Sequence, residues 1–183
     1  MAIKPTIFKF NITLSDMNRE IYETLNLTLA QHPSETTERM MVRVLAFCIN
    51  FEERLSFTKG LSEVEEPDIW SVEYNEDISL WIDVGEPDVE RIKKATRKAK
   101  QVKVYSFNTK SDVWWEQSQA KFEALNASYY RFDWESIQKL ANLVERTMNL
   151  SVMLTGDSAY VTSEAKNNTV SECEVIWERL AEV

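Results

Sequence analysis

DISLWIDVGEPDVERIKKATRKAKQVK, the stretch Asp77–Lys103, decides the fold of this chain. It opens with Ile78–Val84, which is apolar at almost every position, as is typical of a strand covered on both faces. After Gly85, an early proline, acids in the first turn and bases in the last turn predict a helix. The run Val102–Phe107 predicts a second strand. A strand, helix and strand of this length favour parallel pairing through a right-handed crossover.

Basic side chains are concentrated in the same stretch. Residues 91–103 carry seven of them and no acidic one, although the chain as a whole has a formal charge of −9. Such a run is usually a solvated helix face, but on an acidic body it also predicts a local positive patch. Ile92, Ala95 and Ala99 form the predicted buried stripe of the helix. The candidate contacts for a nucleic-acid backbone are Arg91, Arg97, Lys98 and Lys100.

A strand pair and a helix are predicted before this unit. Alternating apolar and polar residues indicate that Thr6–Leu14 and Glu20–Ala30 form a long antiparallel pair. Ser34 suits the N-cap of the following helix, and Glu38 lies on the core-facing side of it. Glu38 is either a functional carboxylate or the partner of the helix dipole and a neighbouring arginine. The apolar stripe of this helix is Met41, Val44, Leu45 and Cys48.

The remaining elements extend a mixed α/β fold with further antiparallel strands. Glu52–Thr58 is a predicted strand, and residues 67–70 form either a helical turn or a short strand. Lys110–Phe122 is a predicted helix, capped near Ser111. We find no convincing linker, so residues 1–183 are expected to form one domain. The later elements are predicted as the strand Ala127–Phe132, the helix Trp134–Arg146, and the strands Met148–Leu154, Tyr160–Val161 and Thr169–Trp177.

Scarce residue types exclude several kinds of site. The chain has three glycines, so neither a P-loop nor a GxGxxG loop can be formed, and no ATP or NAD site is expected. Its single histidine, His32, excludes the usual zinc centres. A serine hydrolase would depend on His32 and Ser34, and Ser34 is better explained as a helix cap. Carboxylate-held Mg²⁺ or Mn²⁺ remains available, because hard cations bind oxygen ligands.

The same composition suggests where the protein works. Cys48 and Cys173 lie far apart without a CxxC motif, so both are expected to be reduced packing residues in the cytoplasm. No apolar run approaches the ~20 residues that span a bilayer. The N-terminus also lacks a signal-peptide pattern, so no membrane association is expected.

Asp83 is a carboxylate within the predicted strand Ile78–Val84, which is otherwise almost entirely apolar. It shares one side of an apolar strand with Trp81, because strand side chains alternate. An unpaired charge there would be costly. Asp83 is therefore expected to hold a metal or a cationic partner, or to lie at an exposed strand end.

Five blocks of sequence are long and distinctive. They are HPSETTERMMVRVLAF (His32–Phe47), ERLSFTKGLS (Glu53–Ser62), EPDIW (Glu66–Trp70), LWIDVGEPDVERIKKA (Leu80–Ala95) and VKVYSFN (Val102–Asn108). These blocks resemble the YaeQ family of bacterial proteins, and the resemblance extends over nearly the whole chain. It implies a fold similar to that of the PD-(D/E)XK, restriction-endonuclease-like superfamily.

That superfamily shares a core and a catalytic pattern. The core is a helix, a β-hairpin extending to a third strand, a crossover helix and a fourth strand, and residues 34–107 are predicted in this order. One acid ends a strand, and a D/E-x-K motif on the next strand supplies a second acid and a lysine. The acids hold one or two Mg²⁺ ions, and the lysine acts on the attacking water and on the phosphate.

The resemblance assigns roles to four acids of this chain. Asp83 corresponds to the acid of the D/E-x-K motif. Asp68 follows a proline as the first motif acid does, but Glu66 is an equally reasonable metal ligand if residues 67–70 form a helical turn. Glu38 corresponds to an additional acid that some members carry on the first helix.

The lysine position separates two functions. Gly85 stands there, so Lys93 or Lys94 of the following helix would have to replace the missing side chain. If one of them reaches the acids, the resemblance implies an Mg²⁺-dependent, nuclease-like phosphodiesterase whose basic helix holds nucleic acid. If neither does, it implies a catalytically inactive adaptor on the same fold. Such an adaptor would bind nucleic acid or, given the acidic surface, a basic protein partner.

Overall fold

The computed structural model describes residues 4–164 and 168–183, which contain ten strands and four α-helices. The first five strands are β1 (Thr6–Asp16), β2 (Ile21–Gln31), β3 (Leu55–Phe57), β4 (Ile69–Val72) and β5 (Ile78–Val84). The others are β6 (Ala99–Ser106), β7 (Ser128–Phe132), β8 (Thr147–Thr155), β9 (Ser158–Glu164) and β10 (Val170–Ala181). The helices are α1 (Thr37–Ile49), α2 (Val89–Lys98), α3 (Ser111–Glu123) and α4 (Trp134–Ala141).

The strands form one large mixed sheet in the order β2-β1-β8-β9-β10-β7-β6-β5-β4-β3. Six of its nine neighbouring pairs are antiparallel, and the other three, β1·β8, β5·β6 and β6·β7, are parallel. The prediction of a mixed α/β fold is confirmed. So are the antiparallel pair at the start of the chain and the antiparallel run β8-β9-β10 near its end.

The predicted crossover unit positions the candidate site. β5 and β6 are parallel neighbours joined by α2, and their register places Asp83 beside Val104. β4 continues the sheet antiparallel to β5, and β3 pairs antiparallel with β4 at the edge of the sheet. The chain thus passes through α1, three antiparallel strands, α2 and β6, which is the order expected of a nuclease-like core. Assignment to that superfamily stays a prediction.

Two hydrophobic clusters support the two faces of this sheet. The larger one surrounds α1, in which every residue from Met40 to Cys48 is buried. The predicted stripe of α1 is therefore part of a wider buried surface. The smaller cluster packs α2 and α3 against β5–β7 and includes Trp81, Ile92 and Trp115. No helix in the described part of the chain combines the length and apolarity needed to cross a bilayer.

The first helix starts later than predicted. Its N-cap is Thr36 rather than Ser34, and the Thr36 hydroxyl accepts a hydrogen bond from the N–H of Arg39 at 3.2 Å. The Ser34 hydroxyl instead contacts Nδ1 of His32 at 2.7 Å. Hydroxyl side chains stand at positions 34, 36 and 37, and local sequence alone does not distinguish them as caps.

Two other helix boundaries differ from the prediction. α4 ends at Ala141 instead of Arg146, because the carbonyl of Arg146 accepts a hydrogen bond from the N–H of Lys9 and joins the sheet. α3 begins without a side-chain cap. The hydroxyl of Ser111, the predicted cap, is buried and lies 2.7 Å from the hydroxyl of Ser106.

The boundary between α2 and β6 affects the functional interpretation. The strand begins at Ala99, three residues before the predicted Val102, because Ala99 pairs with Ile78 of β5. Ala99 is buried as a strand residue and not as part of the helix stripe. Lys100 and Lys103 therefore lie on a strand. The basic run of residues 91–103 is not one continuous helix face.

Other strand boundaries differ less from the prediction. β3 covers only Leu55–Phe57 of the longer predicted strand. Residues 69–72 form β4, so the segment after Pro67 is extended and not a helical turn. β9 is longer than predicted because it pairs with β10 over seven residues, from Ser158↔Ile176 to Glu164↔Val170. β10 continues past the predicted end at Trp177 to Ala181 because it pairs there with β7.

Candidate functional site

An open cleft of about 420 Å³ lies at the carboxyl ends of β5 and β6, beside the start of α2. The chain leaves β5 through Gly85, whose φ of +113° is a conformation that favours glycine. The N–H of Gly85 donates to the carbonyl of Tyr105 at 2.8 Å, which holds this turn against β6. The acidic residues of the cleft are Glu63, Glu66, Asp68, Asp83 and Glu86, and its basic residues are Arg39 and Arg91.

Asp83 forms a two-point ion pair with Arg91. The guanidinium donates to Oδ2 from Nε at 2.9 Å and to Oδ1 from Nη2 at 3.1 Å. Asp88 caps α2 by accepting from the N–H of Arg91, and so places that residue in the first turn, next to the strand end. Arg91 also donates to the carbonyls of Val64 and Glu66, at 2.6 and 2.9 Å. It therefore ties the loop before β4 to Asp83.

Burial and pairing act in opposite directions on this pair. Burial raises the pKa of Asp83, and the nearby charge of Asp68 raises it further, while Arg91 lowers it without cancelling the increase. Burial lowers the pKa of Arg91, but the hydrogen bond and charge of Asp83, together with the charges of Asp68 and Asp88, outweigh it, so that pKa is raised. Both shifts mark Asp83 as a carboxylate that is held out of water and depends on its arginine.

Trp81 completes the surroundings of Asp83 on the same side of β5. Its indole Nε1 is buried and has no hydrogen-bond partner within residues 4–164 and 168–183. Even so, the indole lies close enough to favour the charged form of Asp83, which lowers the pKa of that carboxyl slightly against the effect of burial. An aromatic donor and a guanidinium thus both face the carboxylate.

The carboxylate of Asp68, the residue just before β4, lies in the cleft. Its Oδ1 accepts from Nη2 of Arg39 at 2.8 Å, and its Oδ2 accepts from the N–H of Val84 at 2.8 Å. The same Nη2 of Arg39 donates to the carbonyl of Val84 at 3.0 Å. Of the two alternatives for the first acid, Asp68 therefore presents its carboxylate here. Glu66 is half-buried and contributes its backbone carbonyl to Arg91.

A second acid–arginine network lies behind Asp68 and was missed from the sequence. Glu35 is buried and accepts from Arg39 at 2.6 Å and from Arg43 at 2.6 and 2.9 Å. Glu38, the predicted site residue, is half-buried and does not line the cleft. The arginines of α1, which were expected to pair with Glu38, thus pair with Glu35. The i, i+4, i+8 spacing of Glu35, Arg39 and Arg43 was the available signal.

Glu86 and Asn108 form a third polar contact at the edge of the cleft. The side-chain amide of Asn108 donates to Glu86 at 2.8 Å, and the N–H groups of Phe107 and Asn108 donate more weakly at 3.4 and 3.3 Å. Burial raises the pKa of Glu86 although these donors lower it. From the sequence, Glu86 was interpreted only as one of the acids at the start of the helix after Gly85.

The predicted lysines do not line the acidic cleft. Lys93 and Lys94 are exposed on α2, and neither has an ion pair in the described part of the chain. Lys98 and Lys100 make surface contacts, with Glu65 at 3.4 Å and Glu73 at 3.3 Å. Arg97 is exposed as well. The cation that faces Asp83 is Arg91, which the sequence had assigned to a nucleic-acid backbone.

These groups do not fit a metal ion as they are arranged. Within residues 4–164 and 168–183, no three acidic, histidine or cysteine side chains come together as a metal-binding group. The carboxylates of Asp68 and Asp83 and the carbonyl of Val84 all accept hydrogen bonds from arginines. The expected Mg²⁺ or Mn²⁺ site stays a prediction.

The serine-hydrolase alternative is supported by one contact but by no catalytic arrangement among the described residues. His32 and Ser34 touch at 2.7 Å, yet the N–H of Ser34 also approaches the same ring nitrogen at 3.1 Å, as in a local turn. The contact between the two side chains is exposed. The structure gives Nε2 of His32 no acidic partner among the described residues. This contact is best explained as local turn structure.

The chain is similar to known proteins over most of its length. The family model described as YaeQ protein matches residues 1–172. "Uncharacterized protein YaeQ" of Escherichia coli (strain K12) is 40% identical over 170 residues, covering 92% of this chain and 93% of that protein. The protein of the same name from Salmonella typhi is 41% identical over 170 residues, with the same coverage of 92% and 93%.

Solved structures agree with this relationship. The crystal structure of the YaeQ protein from Xanthomonas axonopodis pv. citri superimposes with a TM-score of 0.89 at 32% identity, covering 98% of this chain and 99% of that chain. The YaeQ protein from Pseudomonas syringae gives a TM-score of 0.89 at 30% identity, with coverage of 98% and 97%. The chain therefore belongs to the YaeQ family.

Proposed function

We propose that this chain is a catalytically inactive binding protein whose acidic cleft receives a positively charged segment of a partner protein. The observation that carries the proposal is the pairing of Asp83 and Asp68, two of the three candidate metal-binding acids, with arginines. Arg91 donates to both oxygens of Asp83, and Arg39 donates to Asp68 and to the carbonyl of Val84. Those oxygens are the hard ligands that a magnesium ion would need.

The charge of the cleft supports the choice of partner. Five acidic and two basic side chains line it, which gives a formal charge of −3. Both arginines are already paired, and the carboxylates of Glu63 and Glu66 make no hydrogen bond or ion pair within the described residues. Lysine or arginine side chains of a partner would find these oxygens free. Complementary charge of this kind speeds association and selects the partner.

Metal binding and cleavage give the first test. Mg²⁺ and Mn²⁺ are titrated calorimetrically into the wild type and into Asp83→Ala, and both proteins are assayed on plasmid and single-stranded oligonucleotides. We expect no metal heat and no cleavage from either protein. Metal binding in the wild type that is lost in Asp83→Ala would overturn the proposal.

Peptide binding gives the second test. The probe is a ten-residue peptide of mixed lysine and arginine, compared with a DNA duplex of equal charge magnitude. The double variant Glu63→Gln/Glu66→Gln should weaken peptide binding about tenfold, which corresponds to ≈1.4 kcal/mol. Glu23→Gln/Glu116→Gln removes the same charge from exposed positions elsewhere and should leave affinity nearly unchanged. Equal losses in both double variants would show a nonspecific charge effect and sink the assignment to the cleft.

A second candidate function is an Mg²⁺-dependent phosphodiesterase with an arginine in place of the motif lysine. The observation that favours it is the position of Arg91, which presents a cation to Asp83 from the helix after the D/E-x-K position. Asp68 lies in the same cleft. Metal-dependent cleavage that is lost in both Asp83→Ala and Asp68→Ala would establish this function and exclude the binding proposal.

A further inference from the structure

A second cavity, of about 330 Å³, lies where β6 and β7 begin, at the opposite ends of these strands from the acidic cleft. Its lining includes Lys103 of β6 together with Ser128 and Tyr130 of β7. The parallel register places Lys103 directly beside Ser128. Side chains of all three therefore project from one face of the sheet, because strand side chains alternate.

The ammonium group of Lys103 has a neutral partner. It donates to Oδ1 of Asn50 at 2.7 Å. The amide of Asn50 cannot turn away, since its NH₂ group donates to the carbonyl of Ala46 and to the hydroxyl of Tyr105, each at 2.8 Å. Within residues 4–164 and 168–183, Lys103 forms no ion pair. Only one of its three N–H donors is used by a described side chain.

The charged neighbours do not neutralise Lys103. Glu182 lines the same cavity but pairs with Arg179 at 2.5 Å, and Lys100 pairs with Glu73 at 3.3 Å. Burial lowers the pKa of Lys103, and the charge of Glu182 opposes this without reversing it. A half-buried cation that lacks an anion is costly to keep charged. An anion in the cavity would remove that cost.

The neutral donors around Lys103 suit a carboxylate. Ser128 and Tyr130 carry hydroxyls, and burial raises the pKa of Tyr130, so its hydroxyl stays protonated and able to donate. One ammonium and two hydroxyls match the two oxygens and single charge of a carboxylate. Phosphate sites more often use arginines or helix N-termini. The volume is near the lower end of the ≈300–1,000 Å³ range of small-molecule sites, so the ligand is small.

We propose that this cavity binds a small organic acid, whose carboxylate pairs with Lys103 and accepts hydrogen bonds from Ser128 and Tyr130. The site is independent of the acidic cleft and of the function proposed for it. Its ligand class is a carboxylic acid of a few carbon atoms. Binding would stabilise the charged form of Lys103, because a nearby negative charge favours the ammonium.

Thermal unfolding with defined anions tests the proposal on the full chain. Sodium acetate and sodium succinate are compared with sodium chloride and sodium phosphate at equal ionic strength. A carboxylate should raise the Tm with concentration, by roughly 5–11 °C at 100 times its Kd. Lys103→Met should abolish this shift. Lys100→Met, which removes a more exposed lysine from the same cavity, should keep most of it.

Lysine labelling provides a readout that does not depend on the variants folding. The wild type is reductively methylated with formaldehyde and sodium cyanoborohydride, with and without succinate, and each lysine is followed by mass spectrometry. Succinate at ten times its Kd should slow labelling of Lys103 about tenfold, while Lys100 changes little. Three results would overturn the proposal: no carboxylate-specific shift, an equal shift in Lys103→Met, or stabilisation by phosphate alone.

Discussion

Arg91 and Lys98 belong to the same basic run of residues 91–103, but the acidic partner of Arg91 is buried and that of Lys98 is exposed. Arg91 reaches under the loop before β4 and makes a two-point ion pair with Asp83, whose side chain is 3% exposed. Lys98, two turns later on the same helix, meets Glu65 in a contact where both side chains are largely exposed, at 45% and 74%. The contribution of a charged side chain to stability therefore depends on the burial of its partner and not on its position in the basic run.

The largest effect is expected from Arg91→Ala. This substitution leaves Asp83 buried without its cation and should lower the free energy of unfolding by about 3 kcal/mol. The estimate is at the low end because the Arg91 side chain is 32% exposed. Urea unfolding measures the loss. Arg97→Ala on the same helix is the matched control and should stay within about 0.5 kcal/mol of the wild type.

A double variant separates lost pairing from lost packing. If the uncompensated charge causes the destabilisation, Arg91→Ala/Asp83→Asn should be more stable than Arg91→Ala alone. A loss that persists unchanged in the double variant would assign it to the Arg91 contacts with the carbonyls of Val64 and Glu66.

Arg39→Lys should have the next largest effect. One guanidinium serves three acceptors, on Glu35, Asp68 and the backbone of Val84, and an ammonium cannot reproduce this planar fork. We expect a cost on the order of 1–3 kcal/mol, since at least one buried acceptor loses its donor. Arg179→Lys changes an exposed arginine that pairs with Glu182, and it should be nearly neutral in the same measurement.

The pH dependence of stability should distinguish two aspartates by sign. Burial raises the pKa of Asp83 above its ordinary 3.8, so the folded protein holds this proton where the unfolded chain has released it. The stability that Asp83 contributes is then largest below pH 3.8 and falls as pH rises through the folded pKa. Relative to Asp83→Asn, the wild type should lose stability across this window.

Asp133 is the internal control for this measurement. Hydrogen bonds from Ser136 lower its pKa below the ordinary 3.8, so its contribution is present above that pH and is lost as pH falls. The difference between wild type and Asp133→Asn should therefore slope in the opposite direction. The same sign of slope in both comparisons would contradict the assigned environment of Asp83.

The crossover unit could be predicted because its signals are local. The apolar strand Ile78–Val84, the proline after Gly85 and the graded charges of α2 indicate the element types, and the length of the connection favours the parallel pairing that is observed. Burial alone also predicted that Asp83 would hold a metal or a cationic partner unless it lay at an exposed strand end. That the partner is Arg91 could not be predicted, because Arg91 lies just outside the predicted buried stripe, and the N-cap at Asp88 places it next to the strand end.

The remaining misses arise from contacts between distant segments. Ala99 and Lys100 were counted with the helix because nothing nearby shows that β6 begins before Val102. Lys103 then meets Asn50, a residue 53 positions away. Glu35 was missed because it precedes the helix, although its i, i+4, i+8 spacing to Arg39 and Arg43 is visible in the sequence. Pairing across the sheet decided which charges are buried.

The smallest expected effect concerns Lys98 and Glu65. Their contact at 3.4 Å joins two exposed side chains, so a double-mutant cycle with Lys98→Met and Glu65→Gln should give a coupling of about 0.2–1 kcal/mol that declines with salt. The corresponding cycle with Arg91→Met and Asp83→Asn should give a several-fold larger coupling with weaker salt dependence. Because both pairs link α2 to a neighbouring segment, the ratio of the two couplings measures what burial adds. Equal couplings would remove the difference between Arg91 and the rest of the basic run.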